Sequence, residues 1–580
     1  MHCAGGRRLA GWAPLIPGVV LLLAGGYRLG RLPLWRDEAY TLDATGRPLT
    51  RVFAMLAHTD AVNGTYYVLM HGWTAVAGTS AAALRLPSLL AMAVAAVITA
   101  AIGGRLARAG RLPAPAVTGV VAGLLFTAAP QVTRYAQDAR AYGLVTMCAT
   151  AATYLLLRAL ADGRWRWWAA YGAAITAAGL FNLLACLLVA AHGITVWIAR
   201  ARQQAATAPV GGGTGAAARP AGAAAPGREP GPTAAGTGPA AAGTGPAAMG
   251  TGPAAMGTGP AAMGTGLAPA GTGLASVGTG PAVRASRWLT GAGTALAVLS
   301  PLLVAGFAQR RQISWLHRPG PAAVSHLVAS FAGSKPLVPL LGLLVLVGVT
   351  ATLADLPRAP LDLVTVALPW LLLPAAVLLT ASQILPLYDG RYLVFCLPAL
   401  GLLGACGVAW VTRFASMIPV RGAGGAAAWL PAALILALLA ALVAGPQRAV
   451  RAPAARLADL RGTAAILAAQ GRRGDAVLYV PPRNRVFSIA YPAPFRRLRD
   501  VALAESPAVA ANLSGAEVTA GTLRARFAAV GRVWVVSGHR MFRFPDRGLA
   551  PAEAGLLKRF SLVRRWDMGA GMLSLYVRRH

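Results

Sequence analysis

Apolar residues run through this 580-residue chain in long blocks separated by short polar turns. Blocks near the roughly 20 residues that cross a bilayer as a helix recur near 12–30, 84–106, 114–130, 140–160, 167–181, 183–199, 288–308, 337–354, 361–382, 392–412 and 426–445. The pattern predicts a mostly α, polytopic membrane helical bundle of about 11 spans. The 167–199 stretch reads as two short spans, because that choice keeps the loop charges alternating. Within the first long loop, 47–58 and 65–78 have apolar residues at helical spacing but are too short to span. They read as helices lying in the interface, with Met70 and the Tyr66–Tyr67 pair packed and His71 hydrogen-bonded.

The pattern changes twice. Over 203–285 a seven-residue unit beginning GTG repeats, with Gly and Pro in its usual form, GTGPAAM. Those residues forbid a continuous helix, and too few large apolar side chains remain to build a core, so the segment reads as an unfolded cytoplasmic linker. After about Pro446 the spans stop, and a helical pattern at 456–471 precedes strand-like runs at 475–481, 532–538 and 572–579. The domain reading is an N-terminal membrane half (1–202), the linker (203–285), a second membrane half (286–445) and an extracytoplasmic α/β domain (446–580).

Composition agrees with a membrane protein: 56% hydrophobic, 12% charged and a mean hydropathy of +0.57, against about 25% charged in soluble domains. The net charge of +35 sits mainly in short loops, which fits topology and anionic lipid headgroups and argues against nucleic acid. The five cysteines show no metal or disulfide spacing. Arg105, Arg108, Arg111, Arg158, Arg164, Arg166, Arg200, Arg202, Arg358, Arg413 and Arg421 fall on one side, taken as cytoplasmic, with Trp165, Trp167 and Trp168 as interfacial anchors.

The opposite loops hold most of the paired acids, arginines and tyrosines: LWRDEAYTL at 34–42, APQVTRYAQDARAY at 129–142, AQRRQISWLHRPG at 308–320 and QILPLYDGRY at 383–392. An acid at the membrane face is costly, so Asp37 and Glu38 point to a site. In their order along the chain, LWRDEAYTL, TYYVLMHGW, LRLPSLLA, RYAQDARAYGL, QISWLHRP and YDGRYLVFCLPAL resemble the GT-C superfamily of membrane glycosyltransferases. The resemblance is specifically to bacterial relatives of the protein O-mannosyltransferases and aminoarabinose transferases. It covers most of 12–412, and the chain departs from it at HTDAVNGTYY, where relatives often have His-Pro-Pro before the tyrosine.

The resemblance implies transfer of a sugar from a polyprenyl-phosphate donor, with inversion, to a lipid, glycan or protein acceptor on the extracytoplasmic face of the cell membrane. It implies no direct use of a nucleotide sugar. The residues fit that chemistry. An attacking hydroxyl needs a base, for which Asp37 is the candidate. Glu38 orients Asp37, binds the acceptor or holds a cation. A lipid phosphate leaving group needs a cation, and Arg391, with Asp389 beside it where a span begins, is the first choice. Arg140 and the His317–Arg318 pair are alternatives, as are Arg134 and Arg310–Arg311. Asp138 pairs with Arg140 or binds sugar hydroxyls, and Tyr135, Tyr142 and Tyr392 line the sugar pocket or the interfacial belt. No cofactor is required; a divalent cation stays open, since an Asp–Glu pair supplies too few oxygens to define a metal site. The competing reading is a transporter or lipid flippase, whose signature would be acids within spans and inverted repeats; few such acids and no clear repeat occur.

Overall fold

A computed structural model describes residues 11–207, 285–355, 360–417, 430–456, 458–538, 551–569 and 571–579. The GTG repeats, Arg358 and Arg421 lie outside the described residues. Everything below belongs to the compact unit formed by Met1–Ala206 and Gly280–His580.

Each of the expected apolar blocks is helical. Among the described residues, eight helices are long and apolar enough to cross a membrane: Ala81–Ala109, Tyr142–Asp162, Leu183–Ala206, Ala285–Ala308, Leu337–Ala354, Leu363–Ala381, Gly390–Ser416 and Leu430–Val450. The other blocks fall short for local reasons. Pro115–Ala128 and Pro130–Ala136 are one apolar pair bent by 68°. Pro130 has no N–H to donate and pushes Ala129 into extended geometry. Leu15–Gly26 has 12 residues and Trp165–Phe181 has 17. The latter stops at Asn182, whose side chain accepts from Leu184 N at 3.1 Å and starts the next segment.

The helices are rich in Ala and Gly, so their backbones approach closely and dispersion between them replaces the absent hydrophobic force. Gly119 lies against Ala100 O, and Gly407 against Leu344 O, too close for any Cβ. The interfacial tryptophans separate into two kinds. Trp165 is exposed and Trp167 is faced by the Arg158 and Arg166 guanidiniums, whereas Trp168 is buried beside Gly291 in the helix packing and anchors no interface.

The C-terminal residues form a mixed sheet of β1 (Ala476–Val480), β2 (Arg499–Asp500), β5 (Arg532–Gly538), β6 (Phe560–Asp567) and β7 (Gly571–Arg578), in the order β2-β1-β5-β7-β6; β3 (Leu503–Glu505) and β4 (Ala516–Glu517) pair separately. β1 is buried on both faces, as its unbroken apolar run AVLYV requires. β6 has no such signal because its residues are mostly exposed. One face of the sheet packs with helix Leu460–Gln470 on a core that also takes in Ala39 and Tyr40. The sheet domain therefore rests on the segment carrying Asp37 and Glu38.

Candidate functional site

The LWRDEAYTL stretch begins a helix, Arg36–Thr45. Acids in a first turn suit the positive end of the helix dipole, and the Glu38 carboxylate accepts from Trp35 N at 3.3 Å. Adjacent residues on a helix point in different directions, and here the two acids part company. Glu38 turns inward and is fully buried. It accepts from Arg85 Nε at 2.6 Å, Arg85 Nη2 at 2.7 Å and Ala139 N at 3.0 Å. Arg85 is equally buried and spends its remaining N–H groups on Leu29 O, Leu32 O and Pro33 O. This pair ties helix Arg36–Thr45 to helix Ala81–Ala109 and the 137–141 turn. Glu38 forms no part of the cavity wall, which corrects its expected contact with substrate.

Asp37 turns the other way, into a cavity of about 1020 Å³. Its Oδ2 accepts from Arg391 Nη1 at 2.9 Å, and Arg36 Nε lies 3.7 Å from Oδ1. Arg391 stands in a 3₁₀ turn, Gly390–Cys396, opened by Asp389, whose side chain accepts from Arg391 N at 3.1 Å and lies 3.1 Å from its Nε. Trp315 and Tyr392 flank the guanidinium, each with ring centroid 5.6 Å away. Arg140 comes from the turn after the Pro130 bend and donates to Asn63 Oδ1 at 3.2 Å and Tyr67 Oη at 3.4 Å.

The cavity is two-natured. Five arginines (Arg36, Arg140, Arg310, Arg391, Arg483) face it against two acids, Asp37 and Asp60, so it favours an anion. Phe181, Leu183, Leu184, Leu187, Leu303 and Phe307 make an apolar wall beside them, at the Asn182 break and the end of helix Ala285–Ala308. The sheet domain closes the remaining side with Arg483, Asn512 and Ser514. It is held there by hydrogen bonds from Tyr40 Oη to Arg483 O (3.2 Å), from Arg47 Nη2 to Asn512 O (2.8 Å) and from Leu34 N to Tyr491 Oη (3.1 Å).

Of the residues expected at the site, Asp37, Arg140, Tyr142, Arg391 and Tyr392 line this cavity, and Asp389 supports Arg391 from behind. Tyr135 is a ring contact for Tyr142, edge-on at 4.9 Å, and reaches the cavity only through it. Asp138 is a correction. It is buried, pairs with neither Arg140 nor open space, and instead accepts from Trp35 Nε1 at 2.8 Å with Arg456 3.9 Å away. Burial, then the neighbouring Glu38 charge, pushes its carboxyl up to about 6. His317 and Arg318 are exposed on their loop and do not line the cavity. Sequence reasoning missed Arg85, although a lone arginine within the LRLPSLLA block was a signal. It also missed Asp60, and Arg483, which has no local signature. Among the described residues, no three of histidine, cysteine, aspartate and glutamate converge to hold a metal ion.

Residues 65–216 match the family model for dolichyl-phosphate-mannose-protein mannosyltransferase. The whole chain is similar to the crystal structure of ArnT from Cupriavidus metallidurans in the apo state, with 12% identity, a TM-score of 0.52 and 98% of each chain covered. It is similar too to ArnT from that organism bound to undecaprenyl phosphate, with 13% identity, a TM-score of 0.50, and 97% of this chain and 98% of that one covered. No curated protein matches the chain.

Proposed function

We propose that this chain, whose fold is that of the GT-C membrane glycosyltransferases, moves a sugar from a polyprenyl-phosphate donor to an acceptor hydroxyl on the extracytoplasmic face, inverting the anomeric centre. The observation that carries the reading is the 2.9 Å contact between Asp37 and Arg391, set in a wall that is cationic on one side and apolar on the other. That wall suits a phosphate joined to a hydrocarbon chain, and the bound undecaprenyl phosphate of the ArnT structure supports the same ligand class.

The acceptor oxygen attacks the anomeric carbon from the face opposite the phosphate, and Asp37 takes its proton. The bond from that carbon to the phosphate oxygen breaks, and its electron pair leaves with the polyprenyl phosphate. Arg391 passes from Asp37 toward the phosphate as charge builds there, and Arg140 adds to the field. Asp389, 3.1 Å from Nε, stays with the guanidinium while its other end changes partner. The scheme requires no cofactor, and a divalent cation, if one binds, is not essential to it: chelating divalent cations is expected to leave transfer in place.

The test uses membranes bearing the chain and a panel of radiolabelled polyprenyl-phosphate sugars, with label followed into lipid, glycan and protein fractions. Asp37→Asn loses about 10²–10⁴-fold in transfer while still binding donor lipid. Transfer at the parental rate by Asp37→Asn overturns the assignment. Movement of intact donor lipid across the membrane, with no label transferred, would mark a flippase instead.

A further inference from the structure

Asp60 is the second acid in the cavity, and the reaction above gives it no task. It lies in HTDAVNG, the stretch where the chain departs from the pattern it otherwise resembles. Its backbone is left-handed (φ 65°), a conformation that aspartate tolerates better than most residues. Four side chains hold it there. Gln312 Oε1 accepts from Asp60 N at 3.1 Å and Gln309 Oε1 from Ala61 N at 2.9 Å, both reaching from the second membrane half. Asn63 Nδ2 donates to Asp60 Oδ1 at 2.8 Å, and the Tyr67 hydroxyl donates to Oδ2.

The carboxylate is thus fixed by neutral donors alone; among the described residues, no arginine, lysine or histidine forms an ion pair with it. A carboxylate offers about four lone-pair directions, and two are taken. Arg140 bonds to both Tyr67 and Asn63 and lines the same cavity as both acids. The Asp60 turn is on the side of the lipid wall: Val62 meets Gly306, where an added Cβ would be 3.1 Å from Val62 Cγ1.

We infer that Asp60 reads the donor sugar, its free lone pairs accepting hydrogen bonds from the ring hydroxyls of the sugar whose phosphate lies at Arg391. This rests on the reading of the donor given above. Asp60 is a specificity residue, and Tyr67 positions it.

The experiment measures binding in detergent, by ligand-dependent shift of the melting curve, of undecaprenyl phosphate and of a panel of undecaprenyl-phosphate hexoses and pentoses. Asp60→Asn does not weaken binding of bare undecaprenyl phosphate, since it removes one of the two acids that face the cavity. It raises the Kd of the glycosylated lipid that the parent binds best by about tenfold or more. Tyr67→Phe, which frees one carboxylate oxygen and one Arg140 N–H, gives a smaller loss for the same lipid. The inference falls if Asp60→Asn binds bare and glycosylated lipid as the parent does, or weakens both equally. If the parent binds neither lipid, the donor assignment itself fails and takes this inference with it.

Discussion

Glu38→Gln separates the two adjacent acids most sharply. Glu38 accepts four N–H groups, two from Arg85 and one each from Trp35 and Ala139, and both members of the ion pair have no exposed side-chain surface. The amide keeps one oxygen acceptor and presents an NH₂ group to the others. It leaves the Arg85 cation uncompensated where water does not reach. Removing one partner of a buried ion pair costs about 3–5 kcal/mol. Asp37→Asn changes a side chain at the cavity wall, 13% exposed, whose partner Arg391 keeps Asp389; its stability cost is expected to be about 1 kcal/mol. Thermal melting in detergent, read by tryptophan fluorescence, should therefore place Glu38→Gln several degrees below Asp37→Asn. Transfer by the fraction that remains folded should show the reverse order. A Glu38→Gln protein that melts with the parent would refute the buried-pair reasoning, and so would one that stays folded yet transfers no sugar.

Further expectations follow from the same geometry. Arg391→Lys keeps the charge but loses the planar fork, so donor turnover should fall about 10–100-fold with the melting temperature little changed; parental turnover would show that the fork is not used. The Asp138 carboxyl is raised to about 6 in the folded protein, above its ordinary 3.8, so the folded state holds more protons than the unfolded one between these values. The stability that Asp138 contributes should fall as pH rises from about 4 to about 6, so the gap between the parent and Asp138→Asn should change over that range; a gap that is flat from about pH 4 to 6 contradicts the assignment. Cys186 is half-buried in the apolar wall while Cys148, Cys396 and Cys406 are buried. In a Cys3→Ser background, maleimide labelling should reach Cys186 first and be slowed by undecaprenyl phosphate; unprotected labelling would place the lipid elsewhere.

The membrane fold was legible because most apolar blocks are long and their boundaries are charged or proline-marked. What length alone could not tell was where a block stops short, at Pro130 and Asn182, since a single residue decides the bend. Asp37 and Arg391 were legible because charge is scarce in this chain and each stands at the edge of an apolar block. Glu38 and Asp138 carry the same local signal but turn inward, and their partners Arg85 and Arg456 are 47 and 318 residues away. No pattern within a window of sequence distinguishes an acid that faces a cavity from one that faces a buried cation. His317 and Arg318 show the converse: chemically apt residues on the right loop, left pointing outward. Arg483 and Asn512 reach the cavity only because the sheet domain packs on Ala39 and Tyr40, a contact across more than 400 positions.

Asp37 and Arg391 stand 354 positions apart, with the GTG repeats between them. A ribosome that has released only the first 207 residues has made the acid but neither its cation nor the roof above it. Such a truncated product would hold Asp37 without the arginine it pairs with and without the sheet domain that closes the cavity.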